Sequence, residues 1–379
     1  MREIDAVESK LDILGPIVSN ETLECFGGCR LCWATSKMGQ RFPENWFLKE
    51  YEHHYLLPGL GCLEVGYTLF VSKRHRGSAA TQSARSLEEI ARDLEMLWKD
   101  LRKVSPHWLL FEQGRFQGSK VRGGCIDHFH LHLIPTEQRL VGDIARANAT
   151  NVMLIRRISE LQDIRSDETG AYVLLMSGEA DGTVLLAKEM PSQVVRRAFM
   201  RAKGNETACN WREHPNIEDC FHTAQRFKQA GVTPRCIYFA HAIENIAARS
   251  VEAEVEHMRT AVGSLSSKFL VVSMAGVAEN CVGWQLGEGI PVHYFIQITE
   301  ARCLSWCDVV IADVSREGWQ YVGSMMEIAL AHSRRIPVIA VVGSSSIGQR
   351  QWLKATTFAM VGTIDDAVRM LDSVPGKLT

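Results

Sequence analysis

The feature that most constrains the fold is a set of four short, continuously apolar segments in the second half of the chain. They read "CIYFAHA" (236–242), "KFLVVSMAG" (268–276), "CDVVIADVS" (307–315) and "IPVIAVVGSSS" (336–346), and helix-compatible sequence separates them. Apolar strands that alternate with helices predict a parallel sheet buried on both faces. This half therefore predicts an α/β domain with a doubly wound parallel sheet, whose ligands would bind at the carboxyl ends of the strands.

The first half of the chain has a different pattern. "YTLFVSKRH" (67–75) and "WLLFEQG" (108–114) are strand-like, and residues 171–189 predict a hairpin around a Gly/Asp turn. Between the first two strands, residues 86–104 place their apolar side chains on one helical face, with Ser86 as the expected N-cap. This order of elements predicts an α+β domain with a largely antiparallel sheet and helices.

Length and composition indicate two domains and narrow the choice of partners. A chain of 379 residues is too long for one ordinary core, and the turn-rich "KQAGVTPR" (228–235) predicts domains at 1–228 and 229–379. The formal charge of −2 gives no reason to expect binding to nucleic acid or to a membrane. Because no export signal is recognisable, the 11 cysteines are expected to be reduced thiols or metal ligands in a cytoplasmic protein.

The stretch "GCIDHFHLHLIP" (124–135) places His128, His130 and His132 in alternation with apolar residues. Alternation with a period of two predicts a strand with histidines on one face and hydrophobic residues on the other. The alternatives are an exposed strand face that is rich in histidine and a fortuitous metal site. Imidazole titrates near neutrality, so a histidine can act as a free nucleophile at pH 7 and later as a good leaving group.

The pattern His-φ-His-φ-His-φ-φ at 128–134, where φ is an apolar residue, resembles the signature of the histidine triad (HIT) family. The similarity extends to "YTLFVSKRHRGS" (67–78) and "FEQG" (111–114). Segment 191–215 is similar to a C-terminal extension of some members, so the resemblance covers roughly residues 20–220. It implies a HIT-like nucleotidyl hydrolase or transferase.

This resemblance also implies roles for single residues. The middle histidine, His130, would attack an α-phosphate and form a nucleotidyl-imidazole intermediate. His132 would donate a hydrogen bond to the phosphate oxygens, and backbone N–H groups around Gly123 and Gly124 would bind the same charge. The family often has a small hydroxyl residue near position 125 to assist the leaving group, and here that residue is Cys125, a weaker donor.

Cys29 and Cys32 form a C-x-x-C pair, which by itself is as compatible with two buried cysteines as with a metal site. A closed tetrahedral zinc site needs two more ligands. Zinc-bearing HIT-like proteins take them from the Lys–His turn and from the first histidine of the triad, which implies His75 and His128 here. We therefore expect these four residues to hold a structural zinc, with Cys25 as a candidate substitute for one thiolate.

A second group of candidate residues lies in "DVVIADVSREGWQYVGSMMEIALAHSRRIPVIAVVG" (308–343). A buried strand is expected to end at Asp313, a glycine-containing loop follows, and Glu327 is expected at the start of a helix. An acid in the first turn of a helix is commonly a surface residue favoured by the helix dipole, which is the alternative interpretation. Over roughly residues 233–372, the sequence resembles nucleoside 2-deoxyribosyltransferases and nucleoside 5′-monophosphate N-glycosidases.

The second resemblance implies a role for each polar side chain in this region. Glu327 matches the catalytic nucleophile, and Tyr238 matches a tyrosine that contacts the reacting sugar. Glu300 stands where those families normally have an aspartate, and it would protonate the leaving base. Asp313 and Ser344 are candidate substrate-binding residues, and the serine-rich loop around Ser344 is expected either to bind a 5′-phosphate or to be an ordinary loop.

Together the two resemblances imply a bifunctional nucleotide-processing enzyme that acts on nucleotides or nucleosides. The first domain would cleave or transfer nucleotidyl groups, and the second would cleave or exchange an N-glycosidic bond. The alternative is that the second domain binds a nucleotide without turning it over and regulates the first. Families similar to either half commonly pair subunits, so we expect a homo-oligomer.

Overall fold

A computed structural model describes most of the chain. The described residues are 24, 26–36, 39–41, 43–116, 128–138, 140, 142–144, 151–164, 170–178, 182–187, 190–242, 248–265, 269–273, 300–301 and 303–374. They form two compact units: the first runs up to residue 233 without 41–43, and the second comprises 41–43 and the residues from 234 onwards. Among the described residues, no helix combines the length and the apolar character that crossing a membrane requires.

The first unit is built on an eight-stranded antiparallel sheet. Its strands are β1 (Lys49–Glu50), β2 (His54–Pro58), β3 (Thr68–Ser72), β4 (Leu109–Arg115), β5 (His130–Ile134), β6 (Asn151–Ile155), β7 (Ala171–Met176) and β8 (Gly182–Ala187). The order across the sheet is β1-β2-β3-β5-β4-β7-β8-β6, and each neighbouring pair is antiparallel. Its α-helices are α1 (Arg30–Ala34), α2 (Ala84–Val104), α3 (Val194–Ala202) and α4 (Ile217–Gln229). The 3₁₀ turns of this part of the chain are Gly39–Arg41, Pro43–Asn45, Ala79–Thr81, Ile158–Gln162 and Glu206–Cys209.

Helix α2 contributes one face of the core of this unit. Its apolar residues recur every three or four positions, so they share one face, and all are buried: Leu87, Ile90, Leu94, Leu97, Trp98 and Leu101. The N-cap predicted at Ser86 is wrong, because the helix begins at Ala84 and Ser83 is its N-cap. The Ser83 hydroxyl accepts a hydrogen bond from the Ser86 backbone N–H, which satisfies a donor that the helix itself leaves unpaired.

The predicted hairpin at 171–189 is confirmed. Strands β7 and β8 pair antiparallel, with Ala171 opposite Ala187 and Met176 opposite Gly182. All residues of β7 are buried, which explains why its sequence is apolar without alternation. This hairpin extends the sheet beyond β4, so β4 is not an edge strand. The histidine strand β5 lies in the interior of the sheet between β3 and β4.

The second unit contains a five-stranded parallel sheet, as the apolar segments predicted. Its strands are β9 (Arg235–His241), β10 (Phe269–Val272), β11 (Val309–Asp313), β12 (Val338–Val341) and β13 (Ala359–Val361), in the order β10-β9-β11-β12-β13. Its helices are α5 (Ala248–Leu265), α6 (Val322–Ser333), α7 (Gln351–Thr356) and α8 (Ile364–Met370), with 3₁₀ turns at Ser346–Gln349 and Leu371–Ser373. The strand order reverses between β9 and β11, which is where such sheets bind ligands.

Helices cover both faces of the parallel sheet. Ile237 and Phe239 of β9 pack in one buried cluster with side chains of α5 and α8. Because successive side chains of a strand point to opposite faces, Tyr238 lies on the other face, where its hydroxyl reaches Glu327 of α6. The α/β layering predicted for this half is therefore present, and Tyr238 is directed away from the α5 layer.

Candidate functional site

The histidine strand β5 lies between β3 and β4, with Leu69 and Phe111 both opposite His132. His128 lies two residues before the strand, and His130 and His132 lie within it. The rings of His130 and His132 have their centres 4.8 Å apart. Period-two alternation along one strand thus brings two imidazoles side by side, while Leu131 and Leu133 are buried on the other face.

His130 makes one hydrogen bond that decides how its ring is protonated. Its Nδ1 lies 2.6 Å from the backbone carbonyl oxygen of His128. A carbonyl oxygen can only accept, so Nδ1 carries the proton and Nε2 keeps its lone pair. Burial lowers the pKa of His130, which keeps the ring neutral and Nε2 available to attack an electrophile.

His132 has the opposite tautomer. Its Nδ1 lies 2.5 Å from the Tyr67 hydroxyl, and that hydroxyl accepts a hydrogen bond from Arg196 Nη1 at 2.9 Å. The Tyr67 proton is therefore directed at Nδ1, and the His132 ring carries its own proton on Nε2. Burial, with the charges of His130 and Arg196, places the pKa of His132 well below its ordinary value.

Sequence reasoning missed Tyr67 and Arg196. Arg196 is 4% exposed, and its other two guanidinium nitrogens donate to the carbonyl oxygens of Gly61 and Cys209. The Phe111 ring stacks on the His132 ring, with ring centres 4.4 Å apart. No sequence pattern links residues so far apart in the chain. An arginine among the apolar residues of α3 was the only available signal.

A cavity of about 840 Å³, its open mouth included, reaches both imidazoles. Most of the wall is apolar, and Tyr67 and Arg196 also line it. Its apolar lining includes Leu31, Leu57, Leu60, Leu69, Phe111 and Trp211.

The four predicted metal ligands lie together. The ligand atoms of Cys29, Cys32, His75 and His128 are all within 4.8 Å of one another. His128 Nδ1 lies 3.3 Å from Cys29 Sγ and 3.4 Å from Cys32 Sγ, and His75 Nδ1 lies 3.3 Å from Cys32 Sγ. Two sulfurs and two imidazole nitrogens in one place can hold a metal ion, and this is the donor set of many tetrahedral zinc sites.

A hydrogen bond also orients the His128 ring for metal binding. Its Nε2 donates to the Ser72 carbonyl oxygen at 2.9 Å, so Nδ1 has a lone pair that points toward the two sulfurs. Burial and the neighbouring Cys29 raise the pKa of the Cys32 thiol to about 12. A bound cation would reverse this effect, because metal coordination deprotonates a thiol.

Three of the candidate substrate-binding residues of the first unit lie outside the described part of the chain. They are Gly123, Gly124 and Cys125, and the candidate zinc substitute Cys25 lies outside it too. Their predicted roles stay predictions.

In the second unit, the structure brings Tyr238, Glu300 and Glu327 together. The Tyr238 hydroxyl donates to Glu327 Oε1, and Glu300 shares a hydrogen bond with Glu327. The expectation that Glu327 begins a helix is wrong, because α6 starts at Val322 and Glu327 lies in its second turn. It is buried, at 8% exposure, and is not a surface acid favoured by the helix dipole.

The two carboxyl groups share a hydrogen bond that affects their protonation. Burial raises the pKa of Glu327 well above its ordinary value, and its hydrogen bond with Glu300 and the charge of Glu300 add to the effect. Burial also raises the pKa of Tyr238 well above its ordinary value, so the phenol keeps its proton. Glu327 therefore holds its proton more strongly than an exposed glutamate does.

The other two candidates in this unit lie at the carboxyl ends of strands. Asp313 ends β11, and its Oδ1 accepts a hydrogen bond from the Ser315 backbone N–H. Ser344 is exposed in the loop after β12. In that loop, the backbone N–H and hydroxyl of Ser346 both donate to the Glu317 carboxylate at 2.9 Å. Those two donors are thus already paired with an anionic group.

A further polar group at the sheet edge was not identified from the sequence. His241 ends β9, with Nδ1 3.2 Å from Glu254 Oε2 and Nε2 3.0 Å from Ser273 Oγ. Glu254 also pairs with Arg316. His241 is three residues after Tyr238 and so lies on the opposite face of the sheet. A single histidine at the end of an apolar strand carries no spacing signal that would have revealed this network.

Comparison with known proteins gives only distant similarities. No sequence profile of a known protein family matches the chain. No curated protein is similar to it in sequence.

Among solved structures, one similar fold is 2-deoxyribosyltransferase from Bacillus psychrosaccharolyticus, which is 15% identical with a TM-score of 0.30. The match covers 38% of this chain and 98% of that one. Another is yeast Ap4A phosphorylase. With AMP bound it is 15% identical with a TM-score of 0.25, and without that ligand 16% identical with a TM-score of 0.23.

These matches cover 37% of this chain and 58% or 60% of the phosphorylase, so less than two thirds of that enzyme is spanned. At such levels of similarity neither comparison carries an argument about function. Any functional assignment has to come from the geometry of the two sites.

Proposed function

We propose that the first unit is a nucleotidyl hydrolase or transferase that uses His130 as its nucleophile. The observation that carries this proposal is the pair of opposite tautomers. His130 presents a lone pair on Nε2, and His132 presents a proton on Nε2, at the same cavity. An attacking nitrogen beside a hydrogen-bond donor is what displacement at a phosphate ester requires.

The proposed reaction has two displacements at phosphorus. His130 Nε2 attacks the α-phosphorus, the bond from phosphorus to the leaving group breaks, and a nucleotidyl-imidazole forms. His132 donates its Nε2 proton in a hydrogen bond to a phosphoryl oxygen as negative charge builds up there. Water or another acceptor then attacks phosphorus and displaces the imidazole, with loss of one proton from the attacking group.

The metal proposed for the first unit is zinc, in a structural role. Bound zinc would supply coordination bonds between Cys29, Cys32, His75 and His128 and no open position for a substrate. The chain's own contribution is the Ser72 carbonyl, which holds the His128 ring. The His128 backbone carbonyl in turn holds His130, so the ligand residue and the nucleophile are linked by one hydrogen bond.

We propose that the second unit cleaves or exchanges an N-glycosidic bond. Its supporting observation is that Glu327 and Glu300 share a hydrogen bond in a buried position. Transfer of the shared proton to Glu300 would leave Glu327 as a carboxylate able to attack the anomeric carbon. Glu300 would then protonate the departing base, and Tyr238 would stabilise the Glu327 carboxylate by donating a hydrogen bond.

A second candidate for this unit is a module that binds a nucleotide without turning it over. The raised pKa of Glu327 favours this alternative, because a neutral carboxyl group is a poor nucleophile. A buried Tyr–Glu–Glu cluster can also bind a ribose hydroxyl or an amino group through hydrogen bonds alone. The two candidates differ in one observable, the release of a free base.

The first proposal is tested by trapping the intermediate. Wild-type protein mixed with a nucleoside 5′-phosphoramidate and quenched in alkali should carry one nucleotidyl group on the tryptic peptide that contains His130. His130→Ala should carry none. A wild-type protein that cleaves the substrate without any adduct on this peptide would contradict the proposal.

The second proposal is tested by chromatography. Nucleosides and their 5′-monophosphates, in ribo and deoxyribo forms, are incubated with wild type, and the products are searched for free base. Release by wild type that is lost in Glu327→Gln supports the glycosidase. Binding of a nucleotide with no base released from any substrate supports the non-catalytic module.

Formation of a homo-oligomer stays a prediction, which light scattering checks.

A further inference from the structure

A chain of hydrogen bonds at the carboxyl ends of the parallel strands has no part in the glycosidic chemistry proposed for the second unit. His241 ends β9, and Ser273 comes directly after β10, which ends at Val272. His241 Nε2 lies 3.0 Å from Ser273 Oγ, and its Nδ1 lies 3.2 Å from Oε2 of Glu254 in α5. A hydroxyl, an imidazole and a carboxylate thus stand in series, in the order that a serine hydrolase triad has.

The carboxylate at one end of this series sets the tautomer of His241. A carboxylate only accepts hydrogen bonds, so His241 Nδ1 carries the ring proton and Nε2 keeps a lone pair. That lone pair faces Ser273 Oγ, so the serine hydroxyl donates to Nε2. Burial lowers the pKa of His241, although Glu254 raises it, so the ring is neutral near pH 7 and can take up the serine proton.

The imidazole and the carboxylate are both held in position by further contacts. The other oxygen of Glu254, Oε1, accepts a hydrogen bond from Arg316 Nη2. The Arg316 guanidinium in turn lies 5.7 Å from the centre of the Trp319 ring. The His241 ring stacks on the Phe239 ring, with centres 4.6 Å apart. A general base and the acid that orients it are thus fixed before a substrate arrives, as efficient catalysis requires.

The series lies where a ligand can reach its serine, and it is separate from the carboxyl pair of Glu327 and Glu300. Only 1% of the His241 side chain is exposed, whereas Ser273 is half-buried. Sheets of this kind bind their ligands at the carboxyl ends of the strands. Because His241 is three residues after Tyr238, it lies on the face opposite to the one where Tyr238 meets Glu327.

We propose that Ser273, His241 and Glu254 form a further catalytic site in the second unit, which hydrolyses carboxylic esters. Ser273 Oγ attacks the carbonyl carbon of the ester, and the serine proton passes to His241 Nε2. The bond from that carbon to the alcohol oxygen breaks, and the alcohol leaves with the proton from Nε2. Water then attacks the acyl-serine, gives one proton to Ser273 Oγ through His241, and releases the carboxylic acid.

The nucleophile is identified with an alkyl fluorophosphonate, which phosphonylates an activated serine hydroxyl with loss of fluoride. Trypsin releases Ser273 in peptide 269–302, in which it is the single serine. Fragmentation of this peptide from wild type should show one phosphonyl group on Ser273, and Ser273→Ala should show none. The label is read on wild-type protein, so the result does not depend on the folding of a variant. Wild type without a label on Ser273 would overturn the proposal.

Hydrolysis of p-nitrophenyl acetate tests the other two members of the triad. Ser273→Ala and His241→Asn should each lower kcat/KM about a hundredfold or more. Glu254→Gln should lower it about tenfold or more, because a neutral amide no longer stabilises the protonated imidazole. His130 of the first unit can itself attack an activated ester, so each variant is compared with its parent in a His130→Ala background.

Matched controls lie at exposed positions of the same unit and should keep the parent value of kcat/KM: Ser333→Ala, His257→Asn and Glu252→Gln. Ester hydrolysis that survives Ser273→Ala unchanged would overturn the proposal. A label on Ser273 that forms as fast in folded His241→Asn as in wild type would overturn it as well. Phosphoramidate cleavage should continue in Ser273→Ala with an intact His130, so failure of this proposal is distinguished from failure of the nucleotidyl chemistry.

Discussion

At the scale of single residues, His130 differs from His128 and His132 in which ring nitrogen carries the proton. His130 carries it on Nδ1, because that atom faces the His128 carbonyl. His132 carries it on Nε2, because Tyr67 donates to its Nδ1. His128 carries it on Nε2 as well and directs its Nδ1 toward Cys29 and Cys32. Backbone carbonyls and one phenol thus give three identical side chains the tautomers that the proposed roles of nucleophile, donor and metal ligand require.

Tyr67 is therefore a positioning residue for His132, and its removal should be measurable. In Tyr67→Phe, His132 loses the hydrogen bond that selects its tautomer, so a fraction of molecules presents a lone pair to the phosphate. One neutral hydrogen bond corresponds to about 1 kcal/mol, so we expect kcat to fall roughly fivefold with little change in KM. The tautomer itself is read from the imidazole nitrogen shifts in ¹⁵N NMR spectra.

A purely structural role for Tyr67 would give a different result. Loss of packing alone would lower the melting temperature and leave the His132 nitrogen shifts of the folded protein unchanged. A Tyr67→Phe protein with wild-type shifts and wild-type kcat would contradict the assigned role. The conservative change keeps the ring, which stacks near His132 with centres 5.9 Å apart.

Glu112 in β4 links the charge state of one residue to the stability of the first unit. Burial raises the pKa of its carboxyl group to about 7, although the Tyr172 hydroxyl and the Ala79 backbone N–H donate to it. In the unfolded chain this carboxyl group titrates near 4.5. Its contribution to stability is thus complete below pH 4.5 and is lost as the pH rises through 7, because the unfolded chain then binds fewer protons.

Glu112→Gln should remove this loss. Between pH 4.5 and pH 7, the free energy of unfolding of wild type should fall by about 3 kcal/mol more than that of the variant. Urea titrations at several pH values measure the free energy of unfolding of both proteins. Subtracting one curve from the other cancels the contributions of the other titrating groups. Glu88→Gln, at an exposed position of α2, controls for the loss of one ionisable side chain. Parallel curves for wild type and Glu112→Gln would refute the prediction.

At the scale of elements, the short helix α1 is joined to the sheet by its cysteines. A five-residue helix is too short to be stable on its own. Cys29 is its N-cap and accepts a hydrogen bond from the Cys32 backbone N–H, while both sulfurs face His128. Metal coordination would fasten this helix, and with it Arg30, to His128, two residues before the proposed nucleophile His130.

We expect purified protein to contain about one zinc ion per chain. Cys29→Ser and Cys32→Ser should each lose the metal and lower the melting temperature of the first unit, since metal binding contributes directly to folding. Elemental analysis and calorimetry measure the two effects. Cys209→Ser, which changes a half-buried cysteine outside the cluster, should retain the metal. Metal-free wild type with unchanged melting in both cysteine variants would end this prediction.

The sequence predicted elements well where one physical rule dominated. Alternation located β5, apolar periodicity located the buried face of α2, and continuous apolar runs located β9 and β11. Boundaries were less predictable, because neighbouring residues compete for the same role. Ser83 and Ser86 can both cap a helix, and the longer helix prevails because it satisfies more backbone groups.

Site residues were predictable only when they belonged to one local pattern. The histidines and the C-x-x-C pair have fixed spacings, and the fold brings their ligand atoms together. Tyr67, Arg196 and Glu44 reach the cavity through long-range packing that leaves no periodic signal in the sequence. Residues of this kind become visible only when burial and hydrogen-bond partners are known, as for the unpartnered Nη1 of Arg30.

At the scale of the whole molecule, the two units contain two different kinds of chemistry. The first has imidazoles, which suit attack at phosphorus, and the second has a pair of carboxyl groups, which suit attack at an anomeric carbon. His130 and Glu327 belong to different compact units of the chain. A chain that joins these chemistries could release a nucleoside monophosphate in one unit and remove its base in the other.

The corresponding prediction is that each site works without the other. His130→Ala removes the atom that would hold the nucleotidyl group, so phosphoramidate cleavage should fall by about 10³ or more. Base release from an added nucleoside or monophosphate should persist. Glu327→Gln keeps the size of the side chain but deletes its negative charge, so base release should fall by a comparable factor while phosphoramidate cleavage continues.

The double variant separates independence from coupling. If the sites are independent, the losses in His130→Ala and Glu327→Gln should each appear unchanged in the double variant, because sites without shared partners contribute additively. Both activities are measured on the same preparations, with circular dichroism as the control for folding. If either single substitution abolishes both activities in a folded protein, the two units form one composite site and the division of labour is wrong. If only base release depends on both residues, the second unit uses the product of the first. Supplying that product to His130→Ala should then restore base release.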